Sequence, residues 1–427
     1  MNIYDSMRVA TKLIALQRSQ WWTAEKIREF QERKLLQKLK FAATSVAYYR
    51  SLGIRGADIV TAADLQRFPI LSKQMQQSNQ SSLLADGVTL DSLDTSTTSG
   101  STGEPTTVAF DRQTWLLCKY ALKVRRLLAF NIGVGKRVLQ VSELHPQEIA
   151  TASHLFGRDL IFGQRLVSIH DPVHAVIPVL REYRPHAIYG LPSFLAELLE
   201  YCERHGESLP KVDVIFTSSE VLGKALRKRL VEVFGAFICD VYGSTEFKEV
   251  AWQCELEHYH INFESTWVEI DESIESDGSG AVLLTTLVNR AMPLVRYRVG
   301  DRGRMGIGAC ACGREGPWIE TISGREVDMI ELPNGHKVSP YLLTSIVEMD
   351  PSMRRYQIVQ VGPARLEIRY LSRTSGDVDE RELTRSLLAL LSDQMQIQFR
   401  QVDNLPRTPR GKQKVYYRDF DASPECN

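Results

Sequence analysis

No run in this sequence approaches the roughly 20 consecutive apolar residues that a bilayer-spanning helix requires. The opening residues, Met1-Asn2-Ile3-Tyr4-Asp5-Ser6, lack the basic-then-apolar order of a secretory leader. A cytoplasmic protein with no membrane partner is the expectation. Net charge is missing as well: Lys+Arg and Asp+Glu both total 52, which argues against a nucleic-acid partner held by bulk electrostatics. Cysteine is sparse, with seven residues, and an odd number in a large chain does not indicate a disulfide framework. What remains is an ordinary globular composition, 43% hydrophobic and 24% charged, over 427 residues, a length that points to two or three domains. Small-molecule and protein partners stay open.

Residues 20–50 read as helix, with Leu35, Leu36, Leu39, Phe41 and Ala42 at three- and four-residue spacing. From about 115 to 300, short apolar runs (Val138–Val141, Ala187–Tyr189, Val212–Phe216, Phe237–Val241) alternate with helix-like stretches such as Phe194–His205 and Gly223–Phe234. That alternation predicts an α/β fold with parallel strands. Thr266–Ile270 and Ala281–Leu287, around a Ser/Asp/Gly turn, look antiparallel. Residues 335–427 read β-α-β-β-α-β, with strands at Tyr356–Val361 and Leu366–Tyr370 and an amphipathic helix at Glu382–Gln394. The expected division is 1–324, a hinge at 325–333, and 334–427.

Four stretches carry chemistry. Residues 95–107 read TSTTSGSTGEPTT, placed between expected strands Val88–Leu93 and Thr107–Phe110. Backbone N–H groups in a Gly-containing turn can cradle a phosphate, with Ser and Thr hydroxyls as further donors. The stretch lacks the Lys-Ser/Thr ending of a P-loop, and a solvated linker is the competing reading. Asp240-Val241-Tyr242-Gly243-Ser244-Thr245-Glu246 follows an apolar run, at the strand end where open α/β sheets bind ligands. Its Glu can hold Mg²⁺ and its Tyr can stack on a purine; a capped turn is the plain alternative. Arg296-Tyr297-Arg298-Val299-Gly300-Asp301, with Gly324-Arg325 beyond it, offers an Asp for ribose hydroxyls and an Arg for phosphate, or else a charged turn. The loop 405–414 carries Arg407, Arg410, Lys412 and Lys414 among two prolines and a glycine, suited to an anionic ligand or to a basic surface turn. Separately, Cys254, His258, His260, Cys310 and Cys312 form two halves of a zinc site, in which Cys254, one His, Cys310 and Cys312 would fill a tetrahedron. Reduced thiols with unrelated histidines are the alternative.

Taken in order, these elements resemble the adenylate-forming superfamily, and within it the phenylacetate–CoA ligase branch with its capsule-biosynthesis-type relatives. Branch-like text also runs through VAYYRSLGI, LQRFPILSK and PHAIYGLPSFLAELL, so the resemblance extends from about residue 20 to the end. It implies a large N-terminal α/β domain with parallel sheets and a small mobile α+β C-terminal domain. It also implies two steps. A carboxylate attacks the α-phosphate of Mg-ATP to give acyl-AMP and pyrophosphate, and a thiol, usually that of CoA, then displaces AMP. Carried over, Thr98, Ser99, Gly100, Ser101, Thr102 and Gly103 wrap the pyrophosphate end of ATP, with Glu104 where the family has Lys. Tyr242, Gly243 and Ser244 belong to the adenine side, and Thr245 lies near the phosphate. Glu246 holds Mg²⁺, Asp301 binds ribose, Arg325 assists, and Ser218, Ser219 and Glu220 form the adenine-side segment. Lys412 neutralises the transferring phosphoryl group. The branch carries a similar Cys…His…CxCG arrangement, which favours Cys254, His260, Cys310 and Cys312 as ligands of a structural Zn²⁺. The other cysteines, Cys118, Cys202, Cys239 and Cys426, have no evident partners.

The sequence also departs from the family. The hinge pattern GRxD is Gly324-Arg325-Glu326-Val327, with Asp328 one residue later, and the loop that follows is ELPNGHKVSPYLL. Transfer to a carrier-protein thiol or an amine, or a nucleotide-binding scaffold without turnover, therefore remains in play beside CoA. A homodimer is left open. For the acid, Tyr189, Phe194 and Phe216 could line an apolar cavity, favouring an aromatic or medium apolar acid, although residue by residue plain core is the first reading of each. His145 and His154 could approach its carboxylate.

Overall fold

The computed structural model describes residues 3–97, 106–144, 163–271, 278–325, 329–348, 350, 352–372, 378–392, 394–406 and 413–420. These gather into two compact units, Met1–Asn131 with Cys239–Ile322 and Ile132–Ile238 with Ser323–Asn427. No helix among the described residues is long and apolar enough to cross a membrane.

The first unit is mainly antiparallel. Helix Ala24–Ser45 starts at Thr23, whose hydroxyl accepts the Lys26 N–H, and it buries Leu35 and Leu39. Strand Thr266–Asp271 pairs with Gly280–Thr286, which pairs with Tyr297–Met305. Lys248–Gln253 lies antiparallel to both Phe237–Ser244 and Tyr259–Ile261, and Trp318–Arg325 adds to the latter through Trp318 opposite His260. Tyr49, Phe68, Phe110 and Tyr297 are among the largest side chains of this core. Two buried arginines tie helix Leu122–Ala129 to the sheet: Arg125 bonds Glu264 at 2.7 Å and Asn262, both in the turn between Tyr259–Ile261 and Thr266–Asp271, and Arg126 bonds Glu249 of Lys248–Gln253 at 3.2 Å.

One expected strand is displaced. Residues 90–92 form a 3-10 turn, and the strand is Asp94–Thr97. The Ser92 hydroxyl donates to the Thr89 carbonyl at 2.8 Å, a local bond that competes with a sheet ladder. Asp94–Thr97 pairs antiparallel with Thr107–Phe110, from Asp94↔Phe110 to Thr97↔Thr107. The Ser/Thr/Gly stretch therefore connects the two strands of a hairpin.

The second unit holds two sheets. Four parallel strands run in the order Gly163–Ser168, Arg137–Ser142, Ala187–Gly190, Val214–Ser218. Helices Val173–Tyr183 and Pro192–His205 supply crossovers that parallel pairing requires, and Lys224–Phe234 follows the last of the four strands. Pro192 opens its helix, where the missing N–H is not needed, and Gly206 closes it in the left-handed region. The second sheet runs Gln396–Gln401, Arg365–Ser372, Met353–Gly362, Tyr416–Arg418. Helices Pro340–Val347 and Glu380–Leu390 pack on it through Leu343, Leu383 and Leu387. The expected β-α-β-β-α-β order runs from Lys337–Val338 to Gln396–Gln401, with Ile330–Glu331 before it and the last strand, Tyr416–Arg418, added.

Candidate active site

The YGSTE stretch is a tight hairpin between Phe237–Ser244 and Lys248–Gln253. A side chain at Gly243 would overlap the Lys248 carbonyl, so the turn needs glycine there. The Ser244 hydroxyl accepts the Phe247 N–H at 3.1 Å and leaves Thr245 and Glu246 at the tip. Strand Tyr297–Met305 brings the RYRVGD stretch to the same place, and the two motifs exchange partners. Tyr242 donates its hydroxyl to Asp301 Oδ2 at 2.9 Å, and Tyr297 donates to Glu246 Oε1 at 3.1 Å. Both rings are buried, so neither carboxylate is free to swing independently of its tyrosine. The two arginines of that motif serve the fold: Arg296 pairs with Glu269 and Arg298 with Asp271, each at 3.3 Å.

Lys248 was not singled out by the sequence. Its ammonium lies 5.0 Å from the Phe110 ring and 5.1 Å from Trp115, and burial pulls its pKa down to about 8. A lysine two residues past a motif carries no signal of such an environment.

In the second unit, the predicted adenine-side segment lies at the carboxyl ends of the parallel strands. The Tyr189 hydroxyl donates to Ser218 Oγ at 2.7 Å. Ser219 turns the chain with φ 71°, unusual for a residue with a Cβ. Glu220 accepts from the Ser193 N–H at 2.8 Å and from its hydroxyl at 2.9 Å, placing an anion at the start of helix Pro192–His205. It also accepts the Gln413 N–H at 3.2 Å, so the residue following Lys412 is tied to this turn. Arg325 is exposed at the end of Trp318–Arg325. Phe194 and Phe216 are fully buried and belong to the interior, whereas Tyr189 is half-buried beside the turn. Thr98, Ser99, Gly100, Ser101, Thr102, Gly103 and Lys412 lie outside the described residues, as do His145, His154, Asp328 and Cys426. The ends of the Ser/Thr/Gly stretch are fixed, since Thr97 Oγ1 and Thr107 Oγ1 are 3.1 Å apart.

The cysteine cluster assembles. One ligand atom from each of Cys254, His260, Cys310 and Cys312 lies within 4.8 Å of the others. Cys254 Sγ and Cys310 Sγ are 3.9 Å apart, and Cys312 Sγ lies 3.2 Å from His260 Nε2. A tetrahedral ion with bonds of about 2.3 Å to sulfur has edges of about 3.8 Å, so the set fits Zn²⁺. Burial, with Arg314 behind it, pushes His260 down to about 3, keeping the neutral imidazole that ligates metal. Burial pushes the Cys254 thiol up to about 12 and raises Cys310. Burial alone would raise Cys312 too, but bonds from the Arg314 backbone and guanidinium outweigh it and lower the thiol. His258 stands outside the four: its Nδ1 is 3.1 Å from Cys310 Sγ, and its ring stacks on Trp318 at 4.0 Å.

Residues 77–268 match the family of AMP-binding enzymes. The phenylacetate-coenzyme A ligase of Thermus thermophilus is 27% identical over 84% of this chain and 81% of its own. That of Escherichia coli is 25% identical over 79% of each. Among solved structures, a 2-hydroxyisobutyryl-CoA ligase in its postadenylation state, with a bound acyl-AMP, superposes with a TM-score of 0.73 at 18% identity, covering 93% of this chain and 90% of that one. The same ligase in its thioesterification state gives 0.59.

Proposed function

We propose that the chain, which matches AMP-binding enzymes at residues 77–268 and resembles phenylacetate-coenzyme A ligases, is an adenylate-forming enzyme of that branch, activating an aromatic carboxylic acid with ATP and passing the acyl group to CoA. The observation that carries this reading is the tyrosine–carboxylate exchange, which holds Glu246 and Asp301 in one place on a rigid sheet. A carboxylate oxygen of the acid attacks the α-phosphorus of ATP, the bond to the bridging oxygen breaks, and pyrophosphate leaves. The CoA thiolate then attacks the acyl carbon and AMP departs with the bonding electrons. Asp301 accepts the ribose hydroxyls, and Tyr242, already tied to Asp301, presents its ring to adenine. Glu246 would hold Mg²⁺, whose charge would offset that of the phosphates, with Thr245 beside it. The hydroxyl-rich loop Thr98–Gly103 takes the pyrophosphate end, and Lys412 offsets the charge that develops in transfer. Ser219 and Glu220 form the adenine-side turn, and Arg325 assists at the hinge. In this reading residues 325–333 are the hinge and 334–427 the moving module.

Zinc is part of the proposal as a structural ion held by Cys254, His260, Cys310 and Cys312, away from the reaction. A cytoplasmic setting goes with it, because a thiolate site needs reduced cysteines. The test is acid-dependent ATP–pyrophosphate exchange over aromatic and aliphatic acids, followed by product analysis with CoA. Exchange with an aromatic acid, lost in Lys412→Ala, together with an acyl-CoA product, supports the reading. Exchange without thioester moves the acceptor to a carrier protein or an amine. Absence of exchange in folded, ATP-binding protein rejects the ligase assignment.

A further inference from the structure

Helix Lys224–Phe234 starts at Gly223, which has no side chain to accept the first helical N–H groups. The acceptor comes from far along the chain. Glu348 Oε2 accepts the Ala225 N–H at 3.0 Å across 123 residues, and its Oε1 accepts the Tyr356 hydroxyl at 3.0 Å. The carboxylate fills the space a side chain at 223 would need, since a Cβ there would overlap it. Glu348 itself follows the last turn of helix Pro340–Val347, with its N–H on the Thr344 carbonyl. A carboxylate is disfavoured at the C-terminus of a helix and favoured at an N-terminus. The position of Glu348 therefore makes electrostatic sense only through the helix it caps. Two further contacts join the same segments, Arg355 with the buried Glu200 at 3.4 Å and Gln413 with Glu220.

We infer that Glu348 is a detachable cap. It is a positioning residue that holds residues 334–427 against the start of helix Lys224–Phe234 during adenylation and is released for thiol transfer. The inference rests on the proposed two-step reaction. Gly223 stands three residues after Glu220, so docking of the cap and placement of the segment bearing Lys412 are one event. Release exposes the first N–H groups of one helix to water and also parts Arg355 from Glu200 and Gln413 from Glu220, so the cap is one of a few contacts that are made and broken together.

Gly223→Ser separates capping from docking. Residue 223 has φ −67° and ψ 151°, in the extended region where serine caps well, and a Cβ there evicts the Glu348 carboxylate. The helix is then capped by its own residue and the docking contact is gone. Spin labels at exposed Lys228 and Arg385, introduced without using thiols, report the distance between the two segments. The expected result is a second, longer distance in Gly223→Ser and pyrophosphate exchange slowed about five-fold, the size of a lost cap. Transfer from preformed acyl-AMP to CoA stays at the wild-type rate or rises, and the melting temperature is retained. Glu348→Ala shows the same split between half-reactions with a lower melting temperature, and Glu348→Gln, which keeps an acceptor, restores the wild-type ratio. Unchanged distances with an unchanged ratio, or equal slowing of both half-reactions, would overturn the cap as a docking device. If wild-type protein shows no exchange at all, the ligase reading fails while the label distances still decide the docking.

Discussion

The two units hold their carboxylates in different ways. In the first, Glu246 and Asp301 take hydroxyls from Tyr297 and Tyr242, side chains whose places are set by antiparallel strands. In the second, Glu220 and Glu348 take backbone N–H groups at the starts of Pro192–His205 and Lys224–Phe234. A ladder of strands fixes what it carries, whereas a helix start accepts any anion that arrives in the right place. The first arrangement suits a fixed grip on a nucleotide. The second suits contacts that are made and unmade.

The largest effect expected is on the rigid side. Stripping the metal with a chelator, or Cys310→Ser, should lower stability by about 4 kcal/mol if the ion is present at a thousandfold over its dissociation constant. Metal content and the denaturant midpoint measure this together, and a chelator-insensitive midpoint would take the metal out of the account of the first unit. Next comes the contrast between the two kinds of carboxylate. Asp301→Ala should reduce kcat/KM for ATP about a hundredfold, near 3 kcal/mol, mostly through KM. Glu220→Ala should slow exchange by about tenfold with a smaller rise in KM for ATP than Asp301→Ala gives, as expected for a residue of the adenine-side turn that also places Lys412. Similar KM changes in both variants would erase the distinction. Tyr297→Phe removes one hydrogen bond to a charged group, about 1.5 kcal/mol. Combined with Tyr242→Phe, it should show coupling above about 0.5 kcal/mol if the exchange acts as a unit.

The smallest effect is in pH. Lys38 is buried in the first unit, donates to the Asn289 carbonyl, and is brought by burial to a pKa of about 7 from 10.5. Between those values the folded state binds fewer protons than the unfolded chain, so stability should rise with pH. The gain is about 1 kcal/mol over the first unit above pH 7, and Lys38→Met should flatten it. A flat wild-type profile would mean that water reaches the Lys38 ammonium and that burial does not lower its pKa.

Much of this was legible from residues. The apolar runs marked the strands of the parallel sheet, and the turn chemistry between Thr266–Ile270 and Ala281–Leu287 marked an antiparallel pair. The ordered motifs placed Tyr242, Glu246 and Asp301 as parts of one site. What stayed hidden depends on partners distant in sequence. Nothing local says that Tyr297 reaches Glu246, that Arg296 and Arg298 are engaged by Glu269 and Asp271, or that Gly223 is small to admit Glu348. The choice of His260 over His258 came from resemblance, and the geometry shows its basis: strand Tyr259–Ile261 brings His260 to Cys312, while His258 packs on Trp318. The shift of a strand from Val88–Leu93 to Asp94–Thr97 reflects a hydroxyl bond that propensity does not register.

The cysteine cluster also has a topological side. Its halves are 56 residues apart, at Cys254 and Cys310. An ion held there turns the intervening chain into a closed ring, and in the denatured ensemble a ring has far fewer conformations than an open segment. Tyr297 and Asp301 lie on that ring, while Tyr242 and Glu246 lie outside it. The ion would thus narrow the search for one partner in each tyrosine–carboxylate bond and leave the other to the sheet, so that refolding of the nucleotide grip becomes a question of polymer closure as well as of side-chain chemistry.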